Sequence, residues 1–360
     1  MILRRERSCG RIWRVAMILV LGWMPSGCTS RALKILTPVQ LLKQLPQGTE
    51  VIQKPLMLLT KPEAKAPSHG GHSGSEVSAP LRMTHGVPVI DAHLNGVTIP
   101  LIIDTGCQPT LMVDPESAVR ASVLVVKPAQ GSLVLEGTLG EEDALLGRVQ
   151  QLSLTDWRIE GPLCLIRSQQ TYMAGLFQRR KLPLNLFGMA LPLHACSYMT
   201  IDYPHERVVF GFHQHYQPVK NRHVWSVPMI LRDGLPHVRL RHGGVRWEAV
   251  IDTGANPTMT ITPEIAQQCG AMSSLSQVDG YRLGIGVMSG LKDRDKLQRV
   301  VLHRIQGLGP ELSHVPATIA NFTPRVGSGL LRHYRVTLDF KRQLLWLEEE
   351  GLKEQGDPAS

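Results

Sequence analysis

Two aspartates, Asp104 and Asp252, each open an Asp-Thr-Gly triplet, and each follows an apolar run, Leu101-Ile102-Ile103 or Ala249-Val250-Ile251. The match continues beyond the triplets, Cys107-Gln108-Pro109-Thr110 in one copy and Ala255-Asn256-Pro257-Thr258 in the other. Two matched copies imply two matched half-sites. The chemistry that needs such a pair is that of a carboxyl dyad. Two carboxyls a few ångströms apart cannot both ionise, so they share one proton. One can then take a proton from water while the other polarises a peptide carbonyl.

A single triplet means little, because these common residues meet by chance in a chain of this length with a probability of roughly one in ten. Here the repeat is longer. Glycine-bearing stretches, Glu136-Gly137-Thr138-Leu139-Gly140 and Gly284-Ile285-Gly286-Val287-Met288, recur at nearly the same separation as the aspartates. Helix starts recur too, at Asp114-Pro115-Glu116 and Thr262-Pro263-Glu264, each a capping side chain followed by proline at the first helical position. Phe187-Gly188 leads on to Met199-Thr200-Ile201-Asp202-Tyr203, as Val326-Gly327 leads on to Val336-Thr337-Leu338-Asp339-Phe340. Around each aspartate the period is mainly two. Val87–Leu94, an Asn95-Gly96 turn and Thr98–Ile103 predict one hairpin, and residues 237–241, a His242-Gly243-Gly244 turn and 246–251 predict its counterpart.

Each half resembles a retropepsin-type aspartic protease domain, and the whole resembles fused two-lobed relatives of pepsin and the retroviral proteases found in bacteria. The resemblance covers residues 82–212 and 223–348. It implies an all-β fold of two homologous closed β-barrel lobes in one chain, a monomer containing an internal pseudo-dimer, with catalytic Asp104 and Asp252 facing one another across the interface. It implies no cofactor and no metal. Thr105 and Thr253 stand where the family's threonines bond across to the opposite loop, and Gly106 and Gly254 where the turn has no room for a side chain. Thr110 and Thr258 would support the loop backbone. Gln108 and Asn256 would bind substrate backbone, as would a flap tip at Gly284, Ile285 and Gly286. Leu186-Phe187-Gly188 matches the family's supporting segment, whereas Arg325-Val326-Gly327 matches only in its last two residues. The first-half flap match is poor, because Gly137 and Gly140 precede acidic Glu141-Glu142-Asp143. The family often has a hydroxyl after the triplet, bonded to the carboxylate. Here Cys107 and Ala255 replace it, which predicts activity under mildly acidic to near-neutral conditions.

At 360 residues, 43% apolar and 19% charged, the chain is long enough for two lobes with cores of their own. Residues 1–27 form a targeting segment: five arginines up to Arg14, then a short apolar stretch ending at Pro25-Ser26-Gly27-Cys28, which resembles a lipoprotein box with Cys28 as the lipidated residue. This predicts an exported protein of the bacterial cell envelope, membrane-tethered through its N-terminus. Without residues 1–27 the net charge falls from +9 to +5, from 34 basic and 29 acidic residues, and no basic helix or zinc-finger spacing accompanies it, so nucleic acid is a poor partner. Residues 28–81 form an arm followed by a Pro-, Gly- and Ser-rich tether over 61–80, residues 213–222 an interlobe linker, and 349–360 a polar tail. His69 and His72, and His213 and His215, lack further metal-ligand partners nearby and belong to solvated loops. Asp202 and Asp339 recur at hairpin positions and have structural roles. Peptide or protein is the expected substrate. The competing interpretation is a non-catalytic exported lipoprotein whose cleft binds a peptide or protein partner, and a third has each half pairing with its equivalent in another chain.

Overall fold

The computed structural model describes residues 75–126, 133–137, 140–167, 172–174, 179–181, 185–220, 222–280 and 295–349, with two-residue strands at Ile35–Leu36, Glu50–Val51 and Leu58–Leu59. The fold is all-β and two-lobed. One lobe is built on a 12-stranded sheet, the other on an 8-stranded sheet, and a 6-stranded sheet joins them.

The strands around the triplet follow the same order in both lobes. In the first, the order Leu163–Arg167, Leu111–Val113, Leu186–Phe187, Val97–Ile103, Val87–Leu94 runs across the middle of the sheet. In the second, the order is Val315–Ile319, Met259–Ile261, Arg325–Gly327, Val245–Asp252, Leu235–His242. Both contain the same short strand wedged between the strand entering the triplet, which it meets in parallel, and the strand leaving it, which it meets antiparallel. Beyond these, Leu133–Gly137 pairs with Gly140–Arg148 as Ser276–Gly280 pairs with Asp295–Leu302. The first-lobe hairpin therefore occupies the position of its counterpart despite the poor sequence match, because its pairing rests on backbone bonds that Glu141 and Glu142 can also make. Its strands close at Gly137 opposite Gly140. The second-lobe tip, with Gly284, Ile285 and Gly286, lies outside the described residues.

Local chemistry sets the turns and helices. Asn95 and Gly96 both take positive φ (50° and 81°), the conformation that a two-residue hairpin turn requires. Asp114 caps the helix Pro115–Arg120 by accepting from the Ser117 amide at 2.8 Å, and Thr262 caps Pro263–Gln268 by accepting from Ile265 at 3.4 Å. Both helices begin with proline, whose missing amide costs nothing there.

The joining sheet takes three strands from each lobe, ordered His223–Pro228, Leu344–Glu349, Arg335–Asp339, Tyr198–Asp202, Arg207–Gly211, Glu76–Pro80. Its two central strands pair antiparallel with Thr200 opposite Thr337. Expected as tether, Glu76–Pro80 is instead the sheet's outer strand, paired antiparallel with Arg207–Gly211. Val77 and Ala79 face inward, alternating with exposed neighbours. Five residues with two small apolar ones leave no compositional mark next to a Gly/Ser stretch. Under the sheet Trp157 packs against Phe210 and Phe212, both at 5.1 Å between ring centroids, tying the first lobe's core to the shared layer. Asp202, fully buried, accepts from Arg335 at 2.8 Å, Arg207 at 3.1 Å and His205 at 2.8 Å, and Asp339 accepts from Arg342 at 2.6 Å. These recurrent aspartates brace the shared sheet.

Candidate active site

The two Asp-Thr-Gly loops meet where the lobes touch, each at the end of a strand whose side chains are largely buried. The same turn forms in both: the Cys107 amide bonds back to the Asp104 carbonyl (3.2 Å), and the Ala255 amide to Asp252 (3.3 Å). Below each turn lies the supporting segment. Gly188 donates to the Thr110 carbonyl (3.0 Å) and Gly327 to that of Thr258 (3.1 Å), so both threonines anchor the support through their backbones. A Cβ on Gly188 would lie 2.2 Å from the Pro109 carbonyl oxygen, and one on Gly327 2.1 Å from that of Pro257. Only glycine allows the support to press this closely against the loop.

Across the interface Thr105 Oγ1 donates to the Ile251 carbonyl at 2.5 Å and accepts from the Thr253 amide at 3.0 Å. Thr253 Oγ1 donates to the Ile103 carbonyl at 2.6 Å and accepts from the Thr105 amide at 3.2 Å. Both threonines are fully buried. Ser328 adds a bond to the Thr253 carbonyl at 2.6 Å, and its hydroxyl also meets Tyr203 at 3.0 Å.

The glycines of the triplets bring the carboxyls together. A Cβ on Gly106 would stand 2.6 Å from Asp252 Cγ, and one on Gly254 would stand 2.4 Å from Asp104 Cγ. Each carboxyl thus lies over the other lobe's glycine. Asp104 accepts from the Gly106 amide at 2.9 Å. Burial, then the charge of Asp252 and a side-chain hydrogen bond to it, push Asp104 up to about 8, against the opposing pull of Arg325. Asp252 Oδ1 is buried and has no hydrogen-bond partner among the described residues.

The sequence did not reveal Arg325. It ion-pairs with Asp252 Oδ2, and its guanidinium lies over the Phe322 ring at 5.5 Å from the centroid. Burial alone would lower its pKa, but Asp252 and Asp104 outweigh that and raise it. The only hint in the sequence was a mismatch, a charged residue in a supporting segment expected to be apolar. Leu186 occupies the equivalent place in the first lobe, in register with Ile102 as Arg325 is with Val250.

Gln108 and Asn256 both reach toward the opposite lobe. Gln108 Nε2 donates to the Asp233 carbonyl at 2.6 Å. Asn256 Oδ1 packs on Gly86, where a Cβ would come within 2.1 Å of it. Asp233-Gly234 and His85-Gly86 are equivalent positive-φ turns of the two lobes. Cys107 is buried beside Leu186 and Met112, and burial followed by the nearby Asp104 and Asp252 drives its thiol well above its usual range. No group of three metal-ligating side chains converges among the described residues, and Cys28 lies outside them.

No protein-family model and no curated protein sequence matches the chain. Among solved structures it is similar to the aspartic proteinase from Irpex lacteus, at 11% sequence identity and a TM-score of 0.46, over 76% of this chain and 97% of that one.

Proposed function

We propose that the protein is an aspartic endopeptidase, exported and tethered to a membrane through a lipidated Cys28, in which Asp104 and Asp252 act on one water. The observation that carries this reading is the mutual placement of the two carboxyls, each seated on the other lobe's glycine, with Asp104 raised by burial and by the neighbouring Asp252. Water placed between them loses a proton to the ionised carboxylate while its oxygen bonds to the peptide carbon, and the protonated carboxyl gives its proton to the carbonyl oxygen. In collapse the C–N bond breaks, the amine takes the proton gained from water, and the diol returns a proton to the other carboxyl, restoring the dyad. The threonine exchange keeps the carboxyls from moving apart, a positioning contribution.

A second reading, a peptide- or protein-binding cleft without turnover, is favoured by the Arg325 ion pair, which offsets the charge of one carboxylate. The experiment is hydrolysis of a peptide library by the purified protein and by Asp104→Asn and Asp252→Asn. Loss of about 10²–10⁴-fold in either variant, with the double variant no worse, supports the dyad. A folded wild type that binds peptides and cleaves none supports the second reading.

A further inference from the structure

The duplication makes the two carboxyls equivalent in backbone but not in surroundings. Asp104 has the Gly106 amide on Oδ1, and the apolar Leu186 at its lobe's supporting position. Asp252 has a guanidinium at that position. The cation is enclosed: a Cβ on Gly106 would lie 2.7 Å from both Arg325 Nη1 and Asp252 Oδ2, so the first lobe's loop covers the second lobe's ion pair. The guanidinium also lies over the Phe322 ring. Among the described residues, the titratable and charged groups around Asp252 are Asp104, Arg325, Cys107 and Tyr203. Arg325 is the cation among these described groups, and both Cys107 and Tyr203 are held neutral, chiefly by burial.

We propose that Arg325 is a positioning residue that divides the labour of the dyad: its ion pair holds Asp252 as the ionised base, leaving Asp104 to carry the shared proton and act as the acid. This rests on the reading of Asp104 and Asp252 as a catalytic pair. It assigns distinct roles to two aspartates that symmetry alone would leave interchangeable. The missing hydroxyl beyond each triplet is then compensated on one side only, by a cation from the supporting strand.

The test separates this claim from the activity itself. In full-length Asp104→Asn, where one of the two carboxyls remains, carbon-13 NMR of labelled aspartate follows the titration of Asp252, and the measurement is repeated after adding Arg325→Leu, the residue the first lobe carries at this position. The midpoint is expected to rise by at least one pH unit, with Arg325→Lys restoring part of the shift. In the otherwise unaltered protein, Arg325→Leu should move the acid limb of kcat/KM to higher pH by more than it moves the alkaline limb. An unchanged NMR midpoint in folded Arg325→Leu overturns the proposal even if peptide hydrolysis is robust. A raised midpoint in a protein that cleaves nothing upholds the electrostatic assignment while removing the peptidase reading. If Arg325→Leu fails to fold, Arg325→Met, closer in length, takes its place in both measurements.

Discussion

Thr105 and Thr253 hold each other's loops: the hydroxyl of each donates to the carbonyl preceding the other's aspartate and accepts the other's amide. Four hydrogen bonds cross between the lobes here, so neither carboxyl is positioned by its own lobe alone. Replacing either hydroxyl with a methyl leaves a buried carbonyl and a buried amide without partners, at about 1–3 kcal/mol for each. Thr105→Val and Thr253→Val are therefore expected to lower the denaturation midpoint and to reduce kcat more than they raise KM, whereas Thr105→Ser retains most of both. Chemical denaturation followed by steady-state kinetics checks this.

Asp104 gives the molecule a pH-dependent stability of a specific sign. Its folded value, about 8, lies above the ordinary 3.8, so its contribution is complete below pH 3.8 and is lost as pH rises to about 8. Asp104→Asn has no proton to lose. Its Tm relative to the wild type should climb across pH 4–8 and level off above that window, even though turnover is abolished. Thermal melts at half-unit pH steps read this directly, and a constant Tm difference would show that Asp104 has no raised value.

The shared sheet titrates in the opposite sense. Burial pushes Asp202 up, but the bonds from His205, Arg335 and Arg207 overcome it and hold it below 3.8. Its contribution is present above 3.8 and is lost as pH falls through that lowered value. Removing one partner of a buried pair costs about 3–5 kcal/mol. Asp202→Asn should thus destabilise strongly at neutral pH, and the penalty should shrink in acid, where the native carboxylate is itself protonated. Urea titrations at pH 7 and in strong acid compare the two.

Location is tested separately. With Cys28 lipidated, mass spectrometry of the mature protein should find a diacyl or triacyl cysteine at its N-terminus, and Cys28→Ala should release the protein from the membrane fraction while leaving peptide hydrolysis unchanged. Retention of residues 1–27 would remove the lipid anchor without bearing on the dyad.

Much of this architecture was visible in the sequence because duplication writes the same signals twice. The Asn95-Gly96 turn, the Asp114 and Thr262 caps and the two triplets each depend on local chemistry that a handful of adjacent residues specifies. The strand Glu76–Pro80 escaped notice because its pairing partner, Arg207–Gly211, lies far along the chain and five residues carry too little pattern. The first-lobe hairpin was discounted on side chains when backbone pairing decides it. Arg325 showed only as an irregularity, since nothing in a linear sequence indicates that a guanidinium from the supporting segment will fold back under the opposing aspartate loop.

The sheet that joins the lobes also sets the order in which the protein can be completed as it leaves the ribosome. When the first lobe has emerged, Tyr198–Asp202 is paired on one side by Arg207–Gly211, and its other edge awaits Arg335–Asp339, with Arg335 lying 133 residues beyond Asp202. Through that interval the nascent chain presents an open strand edge, and Asp202, held by His205 and Arg207, still lacks its bond from Arg335. Asp202 and the exposed Arg207 beside it give that edge a charged end that discourages stray β-pairing until the correct strand arrives.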